Sequence, residues 1–313
     1  MEKYVFGVDI GGTTVKMGLF EVDGTLLDKW EIKTRTEEHG KNILPDIAQS
    51  IQKKMEEKGI KKEELAGAGV GVPGPVDASG TVYKAVNLGW DVMNINKELG
   101  SLLGVKVAAG NDANVAALGE MWKGGAQGHK DVVMVTLGTG VGGGIIVDGK
   151  IVCGANGAGG EIGHIHVQDN EEESCGCGNH GCLEQYASAT GIVRLIRKKL
   201  ESTDAPSCLR GKELNGKIFW DAVEAGDELA KEVSEEFGAY LGKGMAVIAS
   251  ILNPEIFIIG GGVSKSGPVV LENVRKNYTP NVFHGSRDVE FALASLGNDG
   301  GIYGAAKLVI DQA

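Results

Sequence analysis

Three of the five cysteines lie in one short segment, Cys175-Gly-Cys177-Gly-Asn-His-Gly-Cys182, and His164 precedes that segment. Three thiolates and one imidazole form the closed tetrahedral shell of a structural Zn²⁺ site. A disulfide would leave one of these cysteines unpaired, and the intervening glycines allow a short loop to fold around an ion. The pattern therefore predicts a structural zinc site. By spacing alone, His164, His166 and His180 all qualify as the fourth ligand.

Two glycine-rich turns are candidate phosphate-binding elements. Each follows an apolar strand pattern and leads into a second strand, so each is predicted to be the tip of a β-hairpin. Glycine lets backbone amides approach a phosphate that a Cβ atom would hold away, and threonine hydroxyls add donors. The residues predicted to contact phosphate are Gly11, Gly12, Thr13, Thr14, Gly138, Thr139 and Gly140.

Gly138, Gly140 and Gly143 also match the spacing of the dinucleotide-binding fingerprint. That fingerprint requires a helix after the turn, whereas this sequence continues as a strand, Ile145–Val147. No Gly-Lys pair is followed by Ser or Thr, so the P-loop motif is missing as well. The pattern favours two facing hairpins over either common nucleotide motif.

Asp112 stands where a strand pattern ends and a helical pattern, Ala113–Trp122, begins. An aspartate in this place is commonly an N-cap that contributes about 1 kcal/mol. Phosphoryl transfer to a hydroxyl group, however, needs a carboxylate that accepts the hydroxyl proton. The α/β folds place such groups at the carboxyl ends of their strands. These considerations favour Asp112 as a general base and Asn111 as a hydrogen-bonding partner of the substrate.

The elements that position these residues occur as a repeat. The chain opens with a strand, Tyr4–Ile10, then a glycine turn, a second strand and a tight turn at Asp23-Gly24. The same order returns as Val132–Leu137, a turn over Gly138–Gly144, and a tight turn at Asp148-Gly149. The repeat predicts an α/β fold with two related lobes and one ligand cleft between them.

The remaining periodicity predicts further strands and helices. The other strand patterns cover Val15–Val22, Thr25–Ile32, Ala68–Val72, Val105–Ala109 and Glu255–Ile259. The other helical patterns cover residues 41–58, 186–200, 220–250 and 299–311. We expect the last helix to pack back on the N-terminal lobe.

The composition restricts the class of protein. A chain of 313 residues is long enough for two lobes, and its 50 glycines, about twice the average share, are expected at strand ends. A net charge of −11 without a basic block argues against a nucleic-acid partner. No apolar run reaches about 18 residues, so no membrane span is expected. The apolar N-terminal stretch is too short for a signal peptide, and we expect a cytoplasmic protein.

Three glycine motifs resemble the phosphate and adenosine motifs of the actin–hexokinase superfamily: Asp9–Lys16, Leu137–Ile145 and Ile259–Val263. Within it, the whole chain resembles the ROK family of bacterial sugar kinases, whose zinc signature is similar to Gly160-Glu-Ile-Gly-His164 followed by the cysteine segment. The resemblance implies a two-lobed actin-like ATPase fold with duplicated ribonuclease H-like lobes and an interlobe active-site cleft. The lobes are expected to comprise residues 1–112 plus about 298–313, and residues 113–297.

The resemblance also implies roles for individual residues. It implies ATP with Mg²⁺ as the phosphoryl donor, with Asp9 near the metal ion and the adenosine near Gly260, Gly261 and Gly262. It supports Asp112 as the base, because the segment Gly110–Ala116 is similar to the catalytic segment of the family. The implied sugar-binding residues are Asn111, Glu161, His164 and Glu184. The implied ligands of one structural Zn²⁺ are His164, Cys175, Cys177 and Cys182.

The expected reaction is phosphorylation of glucose at its 6-hydroxyl, because Pro73–Asp77 and Asn87–Trp90 resemble the glucose-phosphorylating branch of the family. Another hexose (N-acetylmannosamine, fructose or allose) or a polyphosphate donor remains an alternative. A non-catalytic, sugar-binding regulator is a further alternative. Family repressors carry an N-terminal helix-turn-helix, for which the early first strand leaves no room. Family analogy also implies a homodimer or a higher homo-oligomer.

Overall fold

The computed structural model describes residues 2–312. The chain forms two compact units by its internal contacts. Unit 1 comprises Met1–Lys130, Gly144–Gly160 and Ser295–Ala313, and unit 2 comprises Asp131–Gly143 and Glu161–Ala294. The lobe boundaries expected near residues 112 and 298 remain a prediction.

The secondary structure is mixed α/β. The strands are β1 (Tyr4–Ile10), β2 (Thr14–Glu21), β3 (Leu26–Lys33), β4 (Leu65–Val72), β5 (Thr81–Val82), β6 (Met93–Asn94), β7 (Val107–Asn111), β8 (Val132–Leu137), β9 (Val141–Val147), β10 (Lys150–Ile151), β11 (Ile256–Gly260) and β12 (Glu290–Leu293). The helices are α1 (Ile43–Lys58), α2 (Ile95–Leu103), α3 (Asp112–Lys123), α4 (Glu184–Ala187), α5 (Ala189–Glu201), α6 (Gly216–Glu224), α7 (Glu228–Leu252), α8 (Pro268–Tyr278) and α9 (Gly300–Ile310).

The two five-stranded sheets have the same topology. The first has the order β3-β2-β1-β4-β7, in which β1, β2 and β3 pair antiparallel and β1, β4 and β7 pair parallel. The second has the order β10-β9-β8-β11-β12, with β9 and β10 antiparallel and β8, β11 and β12 parallel. The internal repeat predicted from the sequence is confirmed by this duplicated order.

Both faces of the first sheet are covered, which is why β4 is buried along its whole length. On one face, Phe6, Val8 and Val70 belong to a cluster that includes Ile47 of α1. On the other face, Val5 clusters with residues of α9. The prediction that the last helix packs back on the N-terminal part is therefore confirmed.

α9 lies so close to its neighbours that several contact positions have room only for glycine. A Cβ atom at Gly7 of β1 would lie 1.9 Å from the Ile302 carbonyl oxygen, and one at Gly69 of β4 would lie 1.6 Å from that of Ala305. On the helix itself, a Cβ atom at Gly304 would lie 1.7 Å from the Val115 oxygen of α3. Many glycines thus lie inside strands and helices, and the prediction that they cluster at strand ends is wrong for these positions.

Two predicted elements need correction. The helix predicted over 220–250 is two helices, because Gly226 adopts a left-handed conformation (φ +86°) and the Asp227 carboxylate accepts the Ala230 amide at 3.0 Å as the N-cap of α7. The turn predicted over Gly138–Gly144 is shorter, because β9 already begins at Val141. Gly144 lies inside β9, where a Cβ atom would be 2.5 Å from the Ala113 oxygen. Helices α2 and α8 and strands β5, β6, β10 and β12 were not predicted.

Within residues 2–312, the helices are all too short or too polar to cross a lipid bilayer.

Gly304→Ala is expected to lower the free energy of unfolding by about 3 kcal/mol, because the added methyl group must push α9 away from α3. Urea denaturation measures the loss. The matched control is Gly100→Ala in α2, where the nearest atom to the new Cβ would be 3.5 Å away and the helix should gain slightly. Equal stability of the two variants would contradict the close packing of α9.

Candidate active site and metal centre

In unit 1, the first glycine turn joins β1 to β2 and is closed by a hydrogen bond from the Gly11 amide to the Thr14 oxygen, 3.0 Å. Gly12 and Thr13 at its tip are exposed. Thr34, directly after β3, braces the turn: its hydroxyl donates to the Gly11 oxygen at 2.6 Å and its amide to the Thr13 oxygen at 2.9 Å. The turn therefore presents its tip on a fixed backbone.

Asp9 lies near the end of β1, paired in register with Lys16 of β2. Burial raises the pKa of its carboxyl group to about 6, the charge of Lys16 lowers it, and the charge of Asp112 raises it again. On its other side lies the start of α9, where a Cβ atom at Gly301 would be 2.7 Å from Asp9 Cγ. A cation beside Asp9 would offset both the burial and the repulsion from Asp112.

The first turn of α3 separates the roles of two adjacent residues. The N-cap is Asn111, whose Oδ1 accepts the amides of Ala113 at 3.0 Å and Asn114 at 3.2 Å. Its Nδ2 donates to the Gly74 oxygen at 3.1 Å. Asp112 is the first residue of the helix, is exposed, and accepts the Ala113 amide at 2.8 Å. Capping of α3 is thus a property of Asn111, and the Asp112 carboxylate is presented at the surface of unit 1.

In unit 2, the second glycine turn follows β8 and is closed by the Gly138 amide, which donates to the Gly140 oxygen at 3.0 Å. Residues at the start of α5 form hydrogen bonds with the backbone of this turn. The Ala189 amide donates to the Gly138 oxygen at 2.8 Å, and the Thr190 hydroxyl donates to the Thr139 oxygen at 2.6 Å. Both glycine turns are therefore braced by a threonine elsewhere in the same unit.

The third glycine group ends β11. Gly261 has φ +84°, and a Cβ atom there would lie 2.4 Å from the oxygen of Leu137, the residue before Gly138. Gly260 closes the strand, and Gly262, around which space is open, precedes a short 3-10 helix. The second glycine turn, predicted to bind phosphate, and the glycines predicted to lie near the adenosine are thus neighbours in unit 2.

Four side chains of unit 2 form one metal-ligand set. The ligand atoms of His164, Cys175, Cys177 and Cys182 all lie within 4.8 Å of one another. The Cys177 and Cys182 sulfurs are 3.7 Å apart, as are the Cys175 sulfur and His164 Nδ1. Ligands at Zn–S distances of about 2.3 Å in a tetrahedron are about 3.8 Å apart, so the set fits Zn²⁺ with no position left for water.

Two other histidines qualified by spacing as the fourth ligand, and both have partners elsewhere. His166 contacts the His180 oxygen through Nδ1 and Asp169 through Nε2, each at 3.0 Å. His180 Nδ1 contacts the Glu171 oxygen at 3.0 Å. Neither ring belongs to the ligand set, in which His164 is the one histidine among the described residues.

The predicted sugar-binding residues of unit 2 connect through the metal-ligand set. Glu161 Oε2 lies 3.8 Å from His164 Nε2, the ring nitrogen that faces away from Cys175. Glu184 approaches Cys175 at 3.5 Å and also accepts the Val141 amide at 3.1 Å. A Cβ atom at Gly140 would lie 2.0 Å from the same carboxylate. Glu184 therefore links the metal-ligand set to the second glycine turn.

A separate ion pair fastens the loop that carries the cysteines. Arg194 of α5 donates to the Glu171 carboxylate through two nitrogens at 2.9 Å, and the Tyr186 hydroxyl donates to it as well. Burial alone would raise the pKa of Glu171, but these hydrogen bonds outweigh it and hold the pKa at about 2. The loop is thus tied to α4 and α5 independently of a metal ion.

Comparison with known proteins agrees with this fold. The ROK family model matches residues 5–312, so the chain belongs to the ROK family. It is 41% identical to a glucokinase of Halalkalibacterium halodurans over 99% of this chain and 96% of that one, and 36% identical to a glucokinase of Thermotoga maritima over 98% of each. The structure of a ROK family glucokinase from Streptomyces griseus in complex with glucose and AMPPNP matches with a TM-score of 0.76, at 35% identity, over 97% of this chain and 98% of that one. The predicted two-lobed actin-like ATPase fold class is confirmed.

Sequence reasoning missed two supporting residues. Thr34 follows a strand without any local motif, so only the three-dimensional contact with Gly11 reveals it. Thr190 stands in Ser188-Ala-Thr190 at a helix start, a capping pattern that gives a weak signal. Its contact with Thr139 links residues 51 positions apart.

Asp9→Asn is expected to stabilise the free protein above pH 6, because a carboxylate held away from water opposes folding once it ionises. The pKa in the folded state, about 6, is above the ordinary 3.8. The destabilisation caused by ionised Asp9 is therefore complete above pH 6 and is removed as the pH falls from 6 to 3.8, because the carboxyl group becomes protonated. The gain should be at most about 3 kcal/mol at pH 7.5, measured by urea denaturation without metal ion or nucleotide.

The control is Asp23→Asn in the next turn, where the carboxylate accepts the Thr25 amide at 2.8 Å and its pKa is lowered by that bond. That variant should show no gain at pH 7.5. A loss of stability in Asp9→Asn, or a gain that persists at pH 4, would contradict the burial argument.

Proposed function

We propose that this protein is an ATP-dependent glucokinase that transfers the γ-phosphoryl group of ATP to the 6-hydroxyl of glucose. The observation that carries the proposal is the match over nearly the whole chain to glucokinases, one of them determined with glucose and AMPPNP. The glycine turns, the exposed carboxylate of Asp112 and the Cys/His set are all present in this chain.

Asp112 acts as the general base in this proposal. It accepts the proton of the 6-hydroxyl while that oxygen bonds to the γ-phosphorus. Its exposure supports the assignment, and so does the N-cap Asn111: because Asn111 caps α3, the helix start does not depend on Asp112, although the Asp112 carboxylate also accepts the Ala113 amide. The sugar hydroxyls are assigned to Asn111, Glu161, His164 and Glu184.

The nucleotide is assigned to the three glycine groups. Backbone amides of the turns at Gly11–Thr14 and Gly138–Gly140 bind phosphate, and the adenosine lies near Gly260–Gly262. Mg²⁺ bound with ATP would supply charge neutralisation at the phosphates. Asp9 is the residue that would hold it, because a cation beside this half-buried carboxylate would offset the burial and the charge of Asp112, both of which raise its pKa.

Zn²⁺ is assigned a structural role. The ligand set His164, Cys175, Cys177 and Cys182 is closed, so the ion orders the loop and takes no part in the phosphoryl transfer. Burial raises the pKa of Cys182 to about 12, and a bound cation would be needed to keep this thiol ionised. A homodimer or higher oligomer, and a cytoplasmic location, remain predictions.

ATP-dependent phosphorylation should be fastest with glucose when the purified protein is tested on glucose, mannose, N-acetylmannosamine, fructose and allose. Asp112→Asn should lower kcat by about 10³-fold with little change in the KM for glucose, because it removes proton acceptance. The control Asp91→Asn alters an exposed aspartate outside the site and should retain activity.

Each other outcome has a definite meaning. A preference for N-acetylmannosamine, fructose or allose would keep the kinase and change the sugar. If protein that contains zinc phosphorylates none of the sugars, the proposed kinase activity is contradicted. A sugar-binding regulator would then be the better account. Full activity of Asp112→Asn would remove the base assignment alone.

Purified protein should contain about one zinc ion per chain, and Cys177→Ser should lose most of it because the closed shell needs all its ligands. Elemental analysis measures the zinc, and thermal unfolding should show a lower midpoint for this variant. Cys208→Ser, which changes an exposed cysteine outside the set, is the matched control. Full zinc content in Cys177→Ser would show that the set is not the zinc site.

A further inference from the structure

Glu120 of α3 is a charged residue in the interior of unit 1, with a relative exposure of 1%. Its carboxylate accepts three backbone amides: Gly125 at 2.8 Å and Ser295 at 3.0 Å on Oε2, and Leu296 at 2.9 Å on Oε1. The Ser295 hydroxyl also donates to Oε2, at 3.4 Å. The site is an anion hole built from backbone amides and filled by the protein's own carboxylate.

A carboxylate in the interior is costly unless its oxygens accept hydrogen bonds, and charge-assisted bonds to amides are strong. A hydrophobic residue would suffice if α3 needed only packing here. The three amides come from two segments far apart in sequence, 124–125 and 295–296. The carboxylate therefore holds these segments together rather than merely filling space.

The segments held by Glu120 lie near two of the four places where the chain passes between unit 1 and unit 2. Gly125 precedes Lys130, the last residue before unit 2, and Ser295 is the first residue after it. A Cβ atom at Gly124 would lie 2.0 Å from the Glu120 carboxylate, so the backbone approaches it as closely as glycine permits. Glu120 thus binds unit 1 backbone near two of the four points at which the chain passes between the units.

The contact with Leu296 determines where α9 begins. Leu296 is the N-cap of the 3-10 turn Gly297–Asp299, which runs directly into α9 at Gly300. The next residue, Gly301, lies against Asp9, with its absent Cβ position 2.7 Å from Asp9 Cγ. A displacement of Leu296 is therefore transmitted within five residues to the wall of the Asp9 site.

The same turn also positions the cation beside Asp9. Lys16, which pairs with Asp9 across β1 and β2, donates through Nζ to the Asn298 oxygen at 3.3 Å. Lys29 on the neighbouring strand pairs with Asp299 at 2.7 Å. The turn that follows Glu120's partners thus contacts the lysine beside Asp9, and the helix into which it leads lies against Asp9 itself at Gly301.

We propose that Glu120 is a positioning residue for phosphoryl transfer: its buried carboxylate fixes the start of α9 and thereby the surroundings of Asp9. The proposal rests on the proposed kinase function, in which Asp9 serves the metal–nucleotide complex. It predicts that loss of the carboxylate impairs the nucleotide side of the reaction and leaves the sugar side nearly unchanged.

The test compares Glu120→Gln with Leu99→Ala, a cavity variant in the core of α2 that lowers stability without touching α9. In Glu120→Gln an amide NH₂ group replaces one acceptor and faces a backbone N–H. Its KM for MgATP should rise, or its kcat fall, by about tenfold or more, with the KM for glucose within about twofold of wild type. Leu99→Ala should keep both constants when assayed well below its unfolding midpoint.

A second readout does not depend on turnover. MgATP binding, measured by calorimetry without sugar, should weaken in Glu120→Gln and be restored in part by Glu120→Asp, which keeps a shorter carboxylate. Hydrogen exchange of amides 295–304 should speed up in Glu120→Gln and not in Leu99→Ala. These two measurements test the positioning role even if no sugar is phosphorylated, which would refute only the kinase function.

The proposal is overturned if Glu120→Gln binds MgATP like wild type. It is also overturned if the constants for MgATP and glucose change by the same factor, or if Leu99→Ala reproduces the pattern. If Glu120→Gln does not fold, Glu120→Asp carries the same comparison, with an intermediate effect expected and wild-type nucleotide binding overturning the proposal.

Discussion

The contact of α9 with β1, β4 and α3 is the constraint on which the rest of unit 1 depends. Carbonyl oxygens of α9 lie where the Cβ atoms of Gly7 and Gly69 would be. The helix therefore cannot move closer to the sheet, and moving away from it would lose the contact. Such close packing positions a helix more exactly than side chains that can change rotamer. Because Gly301 belongs to the same helix, the position of α9 also defines the space next to Asp9.

The buried or half-buried carboxylates differ according to what surrounds them. Glu120 accepts three amides and is satisfied without a cation, and Glu171 is held by Arg194 and Tyr186 with its pKa lowered to about 2. Asp9 differs from both, because burial dominates over the charge of Lys16 and its pKa is raised to about 6. The first two stabilise structure, whereas Asp9 is costly to the free protein. A group retained at such a cost is a candidate for function.

The sequence predicted those features that depend on local pattern. The hairpins, the repeat and the cysteine segment follow from spacing, and β1 and β8 were predicted to the residue. Spacing alone did not separate His164 from His166 and His180, and the choice of His164 came from the family resemblance. The coordinates agree with that choice, because His164 groups with the cysteines whereas His166 and His180 have other partners. The break between α6 and α7 was missed because apolar periodicity continues through it.

The sequence does not explain why glycine occurs inside strands and helices. At Gly7, Gly69 and Gly304 a side chain is excluded by the backbone of a distant part of the chain, which only the structure shows. The role of Glu120 could not be predicted for the same reason. Within α3 it is one charged residue among apolar neighbours, and its partners Ser295 and Leu296 lie 175 and 176 residues away in sequence. Local pattern identifies residues that bind ligands through a motif. It does not identify residues that hold motifs in place.

If the proposed zinc site is correct, the cysteine loop shows how a closed metal shell would matter to a reaction in which the ion takes no part. Glu184 begins α4 two residues after Cys182, approaches Cys175, and accepts the amide of Val141 next to Gly140. Gly140 must be glycine because this carboxylate occupies the space of its side chain. Order in the loop therefore fixes the second glycine turn through one carboxylate. An ion bound to this set would therefore act on the second glycine turn through contacts within unit 2, and it would need no open coordination position to do so.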